Sequence, residues 1–104
     1  MTPAEQPITL NHARHRFELI TEGKVSFIAF QQPDDHTLAL THTEVHPDLE
    51  GKGIGSMLVK QVLEYVEGHN QKIVPLCPFI AVYIKRHPDW QRVVSSDYNE
   101  SDFR

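Results

Sequence analysis

A glycine-rich segment lies between a stretch that alternates as a strand and a stretch with helical spacing. It reads Glu50-Gly51-Lys52-Gly53-Ile54-Gly55-Ser56, with three glycines at alternate positions. Such spacing lets the backbone turn with its N–H groups pointing the same way, and the N-terminus of the following helix adds a partial positive charge. The segment therefore predicts a phosphate-binding loop, with the Lys52 ammonium beside it. The alternative is a glycine-rich turn that only joins a strand to a helix.

This loop does not fit the two common nucleotide-binding patterns. A P-loop has Lys and then Ser or Thr directly after its last glycine, whereas Ser56 follows Gly55 here with no lysine between them. The dinucleotide fingerprint spaces its third small residue differently and follows a parallel strand, not an antiparallel meander. A nucleoside triphosphate site and a dinucleotide site are therefore not expected.

The strand before the loop carries an imidazole and a carboxylate. Strict alternation puts residues 38, 40, 42 and 44 on one face, so the His42 ring is expected beside the Glu44 carboxylate. A bulge in this strand would alter the register beyond it. His42 is the better general base, because imidazole titrates near ~6.5 and accepts a proton at neutral pH. Alternatively, His42 is a polar strand residue satisfied by a neighbour and Glu44 is a solvated carboxylate.

A second set of reactive groups lies around the start of another helix. Cys77 directly precedes Pro78, which favours the first helical position, so Cys77 is expected at the N-cap. A helix N-terminus stabilises a thiolate there, although a free cysteine is also among the most buried residue types. Tyr83 follows Phe79 by one helical turn, and the alternative for both rings is a place in the core.

The seven histidines do not predict a metal site. His42 and His46 on one extended strand would lie about 13 Å apart, too far to share an ion, and a four-residue spacing chelates only on a helix. Cys77 is the single cysteine, so neither a disulfide framework nor a cysteine-rich zinc site is possible within the chain.

The elements that must position these groups follow from periodicity. The pattern predicts an antiparallel meander, a crossover helix whose apolar stripe packs on the sheet, a buried strand that completes a parallel crossover, and a closing helix. The expected bounds are strands at 16–21, 25–30 and 37–45 with turns at 22–23 and 31–35, a helix at 54–67, a strand at 72–76 and a helix from Pro78 to just before His87.

Composition limits the chain to one domain and excludes several functions. With 104 residues, 39% of them hydrophobic, we expect a single soluble α/β domain at 14–94, a flexible arm at 1–13 and a frayed polar tail at 95–104. The net charge of -4 provides no basic field for nucleic acid or an anionic membrane, so an anionic ligand must be held locally. No membrane span or signal peptide is apparent, and one free cysteine favours a cytoplasmic location.

Several motifs together resemble the small single-domain branch of the GNAT superfamily of N-acetyltransferases. The resemblance runs from about Phe17 to Val94 and implies a compact GNAT-like fold in which one strand is splayed from the third. It also implies that acetyl-CoA is a substrate and an amine the acceptor. The motifs are Thr41-His42-Thr43-Glu44-Val45-His46-Pro47, Leu49 to Ser56, Pro75-Leu76-Cys77-Pro78-Phe79, Tyr83 and His87-Pro88.

The resemblance also implies roles for residues at matching positions. Thr43, Glu44 and Val45 would hydrogen-bond the pantetheine arm of acetyl-CoA, and the pyrophosphate would be held by Gly51, Lys52, Gly53, Ile54, Gly55 and Ser56. His42 or Glu44 would deprotonate the amine, Cys77 would form an acetyl intermediate or line the channel, and Tyr83 would protonate the departing thiolate. Glu50 departs from the usual Gln or Arg, and the chain after the second helix is short.

Other functions remain compatible with the sequence. A non-catalytic CoA-binding or regulatory module would keep the glycine loop without needing His42, Glu44 or Cys77, and a protein-interaction domain would need no CoA. If the protein is an acetyltransferase, the acceptor is a small amine, a protein lysine or a protein N-terminus. The short C-terminal part favours an open site that admits a bulky acceptor. No metal, nucleic acid or membrane partner is expected.

Overall fold

A computed structural model of the chain describes residues 7–98 and 100–103. Five strands form one mixed sheet in chain order, in which β1 to β4 are antiparallel neighbours and β5 runs parallel to β4. The strands are β1 Thr9–Asn11, β2 Arg16–Thr21, β3 Lys24–Asp34, β4 Thr37–Glu44 and β5 Lys72–Pro75. The expected meander followed by a parallel crossover is confirmed.

The β2–β3 hairpin forms because its two turn residues accept left-handed backbone. Glu22 and Gly23 have φ of 53° and 76°, and both flanking residues, Thr21 and Lys24, are paired. Positive φ at both central positions matches the twist of the two strands, and a glycine at the second position lowers the steric cost. This turn stands where the sequence predicts it.

Two helices pack on the sheet through apolar stripes. The crossover helix α1 covers Ile54–Gly68 and the closing helix α2 covers Pro78–Arg86. In α1, Leu58, Val62 and Leu63 are fully buried and belong to one core cluster with Phe17 and Ile28 of the sheet. In α2 the buried positions are Ile80 and Ile84. Short 3-10 helices lie at Pro47–Leu49, Pro88–Val93 and Glu100–Phe103.

Strands β4 and β5 separate at Leu40. Their pairing ends with Leu40 opposite Pro75, and the amides of Leu76 and Cys77 then both donate to the Leu40 carbonyl, at 3.1 and 3.0 Å. Beyond that carbonyl, the described pairing of β4 is with β3 alone. The predicted splay therefore lies at the C-terminal end of β4.

A β-bulge at Thr41 makes one expectation wrong. Phe30 pairs with Leu40 and Ala29 with His42, so Thr41 has no partner residue in β3. The extra residue shifts the alternation by one. Leu40 is therefore buried in the core, whereas His42 and Glu44 are exposed on the other face. The four residues at 38, 40, 42 and 44 do not share one face, although His42 and Glu44 do.

The second turn is shorter than expected. Strand β3 continues through the predicted turn at 31–35 as far as Asp34, and the turn consists of Asp35 and His36. A register shift between Gln31 and Asp34 leaves room in the ladder for Pro33, which has no N–H to donate. The Asp34 carboxylate then accepts from the His36 amide at 2.7 Å, which stabilises the tight turn.

Described residues near both ends of the chain, at 8–11 and 95–98, pair with the rest of the fold, which was not expected. Order begins before Arg14, because Leu10 in β1 pairs with Phe17 and the Ile8 amide donates to Gln61 of α1 at 3.0 Å. The rest of the predicted arm, at 1–6, lies outside the described residues. In the predicted tail, the Ser95 amide donates to the Ile73 carbonyl at 2.7 Å and the Tyr98 hydroxyl to Asp34 at 2.7 Å. No described helix is long and apolar enough to cross a membrane.

Candidate functional site

The chain leaves β4 through a segment that is anchored to the sheet. The His46 amide donates to the hydroxyl of the buried Ser26 at 3.0 Å, and the His46 ring accepts from the Asp48 amide at 3.2 Å. Leu49 is buried in the core cluster. These contacts fix the direction in which the glycine-rich loop begins.

The loop opens the N-terminus of α1 towards solvent. Gly51 and Gly53 have φ of 81° and 75°, which a side chain would oppose, and Gly53 is the N-cap of α1. The first helical bond described runs from the Met57 amide to the Gly53 carbonyl at 3.1 Å. The amides of Ile54, Gly55 and Ser56 precede that bond, so they are free to donate to an anion.

A cavity of about 250 Å³ adjoins these amides. It lies between the end of β4 and the starts of both helices, and all three glycines of the loop line it. This is the geometry that the sequence predicts for a phosphate-binding loop. The lining residues are Val45, Leu49, Glu50, Gly51, Gly53, Ile54, Gly55, Ser56 and Phe79.

The two charged side chains of the loop do not strengthen an anion site. The Lys52 ammonium lies 3.3 Å from the Glu22 carboxylate in the β2–β3 turn, with both side chains more than half exposed. Such surface pairs contribute about 0–1 kcal/mol, and the ammonium is directed to the turn instead of the cavity. Glu50 contributes a carboxylate to the cavity lining. Binding of an anion here depends on the backbone amides.

Gly55 is required for a different reason from Gly51 and Gly53. A Cβ at position 55 would lie 2.8 Å from Cζ of Phe79 and 3.4 Å from Cγ2 of Val45. The end of β4 and the start of α2 therefore meet over the first turn of α1. Phe79 is 45% exposed, so its ring forms part of the cavity surface rather than the core that the sequence offered as an alternative.

A second cavity of about 460 Å³ lies against α2 and shares Ser56 and Phe79 with the first. Sequence reasoning did not predict Val82, Arg86 or His87 in a site. The available signal was helical spacing, since Pro78, Val82 and Arg86 recur every four residues, as do Phe79, Tyr83 and His87. The lining residues are Ser56, Pro78, Phe79, Val82, Tyr83, Arg86 and His87.

Tyr83 is half-buried in this second cavity. Its ring stacks on His87 with centroids 4.2 Å apart and planes 24° apart. Burial raises the pKa of Tyr83, the nearby Lys60 opposes that shift, and Glu64 adds to it. The phenol therefore remains protonated at neutral pH and can act as a proton donor. Tyr83 and Ser56 line the same cavity, which Cys77 does not line.

Cys77 lies where β4 and β5 separate. It is the N-cap of α2, as predicted, and its side chain is only 6% exposed. The thiol donates to the Thr43 hydroxyl at 3.4 Å, across the opening between the two strands. The structure thus joins two predicted site residues that are 34 positions apart in the chain.

His42 and Glu44 lie together on the opposite face of β4. His42 Nε2 is 3.6 Å from Glu44 Oε1, and the side chains are 59% and 62% exposed. Glu44 is aligned with Phe27 of β3, and the Arg16 guanidinium lies 4.3 Å from the centre of the Phe27 ring. The predicted imidazole–carboxylate pair is therefore present, on an open sheet face. Thr43 pairs with the buried Ile28 and points away from that face.

The predicted residues thus form three groups rather than one, and Tyr83 lies apart from all three in the second cavity. The first is the loop and Val45, the second is Thr43 with Cys77, and the third is His42 with Glu44. Strand β4 contributes to the second and third groups, because alternate residues point to opposite faces at its splayed end, and Val45 of the first group directly follows the strand. Among the described residues, no group of three or more His, Cys, Asp or Glu side chains could hold a metal ion.

Two comparisons relate this architecture to known proteins. A family model described as GCN5-related N-acetyl-transferase matches residues 16–93. The NMR solution structure of a GCN5-like protein from Staphylococcus aureus superposes with a TM-score of 0.66 at 23% identity, over 88% of this chain and 90% of that chain. This structural likeness confirms the expected α/β fold. No curated protein matches the chain in sequence.

Proposed function

The chain belongs to the GCN5-related N-acetyltransferase family, and we propose that it transfers the acetyl group of acetyl-CoA to the nitrogen of an amine. The observation that carries the proposal is the free N-terminus of α1 directly beside the splayed end of β4. Acetyl-CoA has a doubly charged pyrophosphate and an amide-containing arm. A free helix N-terminus can bind the pyrophosphate, and an uncovered strand edge can pair with the amides of the arm. A free thiol such as Cys77 is compatible with a cytoplasmic location.

In this proposal the pyrophosphate binds the amides of Ile54, Gly55 and Ser56. The helix N-terminus supplies about half a positive charge there, and the absence of side chains at Gly51 and Gly53 lets phosphate oxygens approach the backbone. The pantetheine arm runs along Thr43, Glu44 and Val45, where β4 has an edge that β5 does not cover. Its amides replace the strand partner that β4 lacks. The acetyl group then lies near the Thr43–Cys77 contact.

Direct transfer uses the two faces of β4 for the two substrates. CoA approaches from the side of α1 and α2, and the amine approaches from the open sheet face that carries His42 and Glu44. His42 takes a proton from the amine, Glu44 orients the ring, and the nitrogen attacks the carbonyl carbon as the carbon–sulfur bond breaks. The CoA thiolate leaves and takes a proton from solvent, because Tyr83, the proton donor that the resemblance implies, lines the second cavity, which Cys77 does not line.

A relay through Cys77 is the alternative route. The Cys77 sulfur attacks the acetyl carbon, CoA departs with the thiol proton, and an acetyl-cysteine remains. The amine then attacks this thioester, and its proton returns to the Cys77 sulfur. The helix N-terminus and the Thr43 hydroxyl, which can turn to donate, would both stabilise the attacking thiolate.

The pyrophosphate assignment predicts a charge-specific loss of CoA binding at position 53. Asn and Asp both tolerate the left-handed backbone of Gly53 and have the same size, so Gly53→Asn is the matched control for Gly53→Asp. We expect Gly53→Asp to bind CoA at least about tenfold more weakly than Gly53→Asn, because only the aspartate repels phosphate. Calorimetric titration measures both. Equal affinity of the two folded variants would contradict the assignment.

The assignment of His42 as general base predicts a selective loss of turnover. We expect His42→Ala to lower kcat by about 100-fold with the best acceptor from an amine screen, while the Kd for CoA changes little. His36→Ala, at an exposed histidine in the β3–β4 turn, serves as control. A His42→Ala variant with the wild-type rate would remove His42 from the mechanism. CoA binding without turnover of any amine would support a non-catalytic CoA-binding module.

The relay predicts an acetyl adduct when no acceptor is present. After brief exposure to acetyl-CoA, we expect mass spectrometry to detect one acetyl group on the chain, absent in Cys77→Ala, because Cys77 is its single thiol. An added amine should remove the group at the rate of turnover. If no adduct forms and Cys77→Ala retains activity, transfer is direct and Cys77 only lines the channel.

A further inference from the structure

The groove that begins at the α1 N-terminus continues beyond the position proposed for the pyrophosphate. Its second part, here called the outer groove, is the 460 Å³ cavity lined by Ser56, Pro78, Phe79, Val82, Tyr83, Arg86 and His87. Ser56 and Phe79 line both cavities, so a ligand that binds the α1 amides can extend into the outer groove. A role for the outer groove rests on the proposed function, since the ligand that would enter it is the part of CoA beyond the pyrophosphate.

Arg86 is the permanently charged cation of this groove. The lining of the first cavity contains Glu50 and no Lys or Arg, whereas the outer groove contains Arg86 together with His87. Other cations near the loop and helices are already paired, Lys52 with Glu22 and Arg92 with Glu67. Arg86 is exposed and forms no ion pair with the residues that the structure describes. In a chain of net charge -4, a second anionic group of a ligand needs such a local cation.

The helix end near Arg86 is also compatible with an anion. Carbonyl groups at a helix C-terminus normally repel negative charge. Here the His87 amide donates to the carbonyls of Tyr83 and Ile84, and His87 Nδ1 lies 2.9 Å from the Tyr83 carbonyl oxygen. These carbonyls therefore already have hydrogen-bond partners. The long Arg86 side chain can hold an anion away from them.

The wall of the outer groove suits a flat heterocycle. Phe79 and Val82 are each 45% exposed, although both are large apolar side chains. The Tyr83 ring is held in place by its stack with His87. A purine covers such a surface, and an aromatic wall contributes stacking without sequence-specific hydrogen bonds.

We propose that the outer groove binds the 3′-phosphoadenosine end of CoA, that Arg86 pairs with the 3′-phosphate, and that the protein thereby selects CoA over its 3′-dephospho form. A guanidinium forms bidentate hydrogen bonds to a phosphate, which makes Arg86 the specificity-determining residue for this group. Phe79 and Val82 contact the base, which the two ligands share.

Calorimetric titrations with CoA and with 3′-dephospho-CoA test the proposal. A charge-assisted phosphate contact predicts that the wild-type protein binds CoA about tenfold or more tightly than 3′-dephospho-CoA. Arg86→Gln should remove this preference by weakening CoA binding while the Kd for 3′-dephospho-CoA stays within about twofold. Lys85→Gln is the matched control, because Lys85 is the neighbouring exposed cation of α2 and does not line the groove. This control should keep the preference, and Arg86→Lys should keep part of it.

The outcomes separate this inference from the proposed function. If the wild-type protein binds both ligands equally, or if Arg86→Gln weakens both equally, the Arg86 assignment is overturned and CoA binding itself stands. If neither ligand binds the folded wild-type protein, both the proposed function and the inference fail. Equal loss of preference in Lys85→Gln and Arg86→Gln would show a general effect of charge and would also overturn the assignment.

Discussion

One backbone carbonyl determines how the site is built. The Leu40 oxygen accepts hydrogen bonds from two successive amides, those of Leu76 and Cys77, where a regular parallel ladder would place one. The second bond turns the chain out of β5 and brings Pro78 into position to start α2. Among the described residues, the last ones of β4 have no strand partner on that side. The open strand edge, the N-cap position of Cys77 and the space between the helices all result from this separation.

The bulge at Thr41 then decides which side chains at the end of β4 face the helices and which face solvent. Without it, His42 and Glu44 would point into the core with Leu40, and burying an imidazole and a carboxylate there would cost several kcal/mol. With it, Thr43 faces Cys77, and His42 and Glu44 face solvent. A single strand thus presents its backbone edge and the Thr43 hydroxyl on one side, and the His42 imidazole and the Glu44 carboxylate on the other. The proposed direct transfer, in which the two substrates approach from opposite sides of the sheet, depends on this arrangement.

Local patterns made much of the fold predictable. The Glu22-Gly23 turn, the helix that follows Gly53 and the helix that begins at Pro78 depend on backbone preferences of nearby residues, and all stand close to their expected bounds. The bulge depends on how β4 pairs with β3, and alternation within one strand contains no information on that register. The Lys52–Glu22 pair joins residues 30 positions apart, and the Tyr98–Asp34 hydrogen bond joins residues 64 positions apart. Local patterns do not contain such distant contacts. Sequence reasoning therefore assigned Lys52 to phosphate and the tail to solvent. Arg86 was missed because the groove that it lines is closed by Ser56 of α1, and the packing of one helix against another cannot be predicted from spacing along a single helix.

The central claim is that the α1 N-terminus and the uncovered edge of β4 form one CoA site. A titration of ¹⁵N-labelled protein with CoA, followed by two-dimensional NMR, tests it most directly, because backbone amides are the proposed ligands. We expect the largest changes in amide chemical shift at Gly53 to Ser56 and at Thr43 to Val45, with small changes in β1 and β2. Changes confined to β1 and β2, or none at saturating CoA, would contradict the claim.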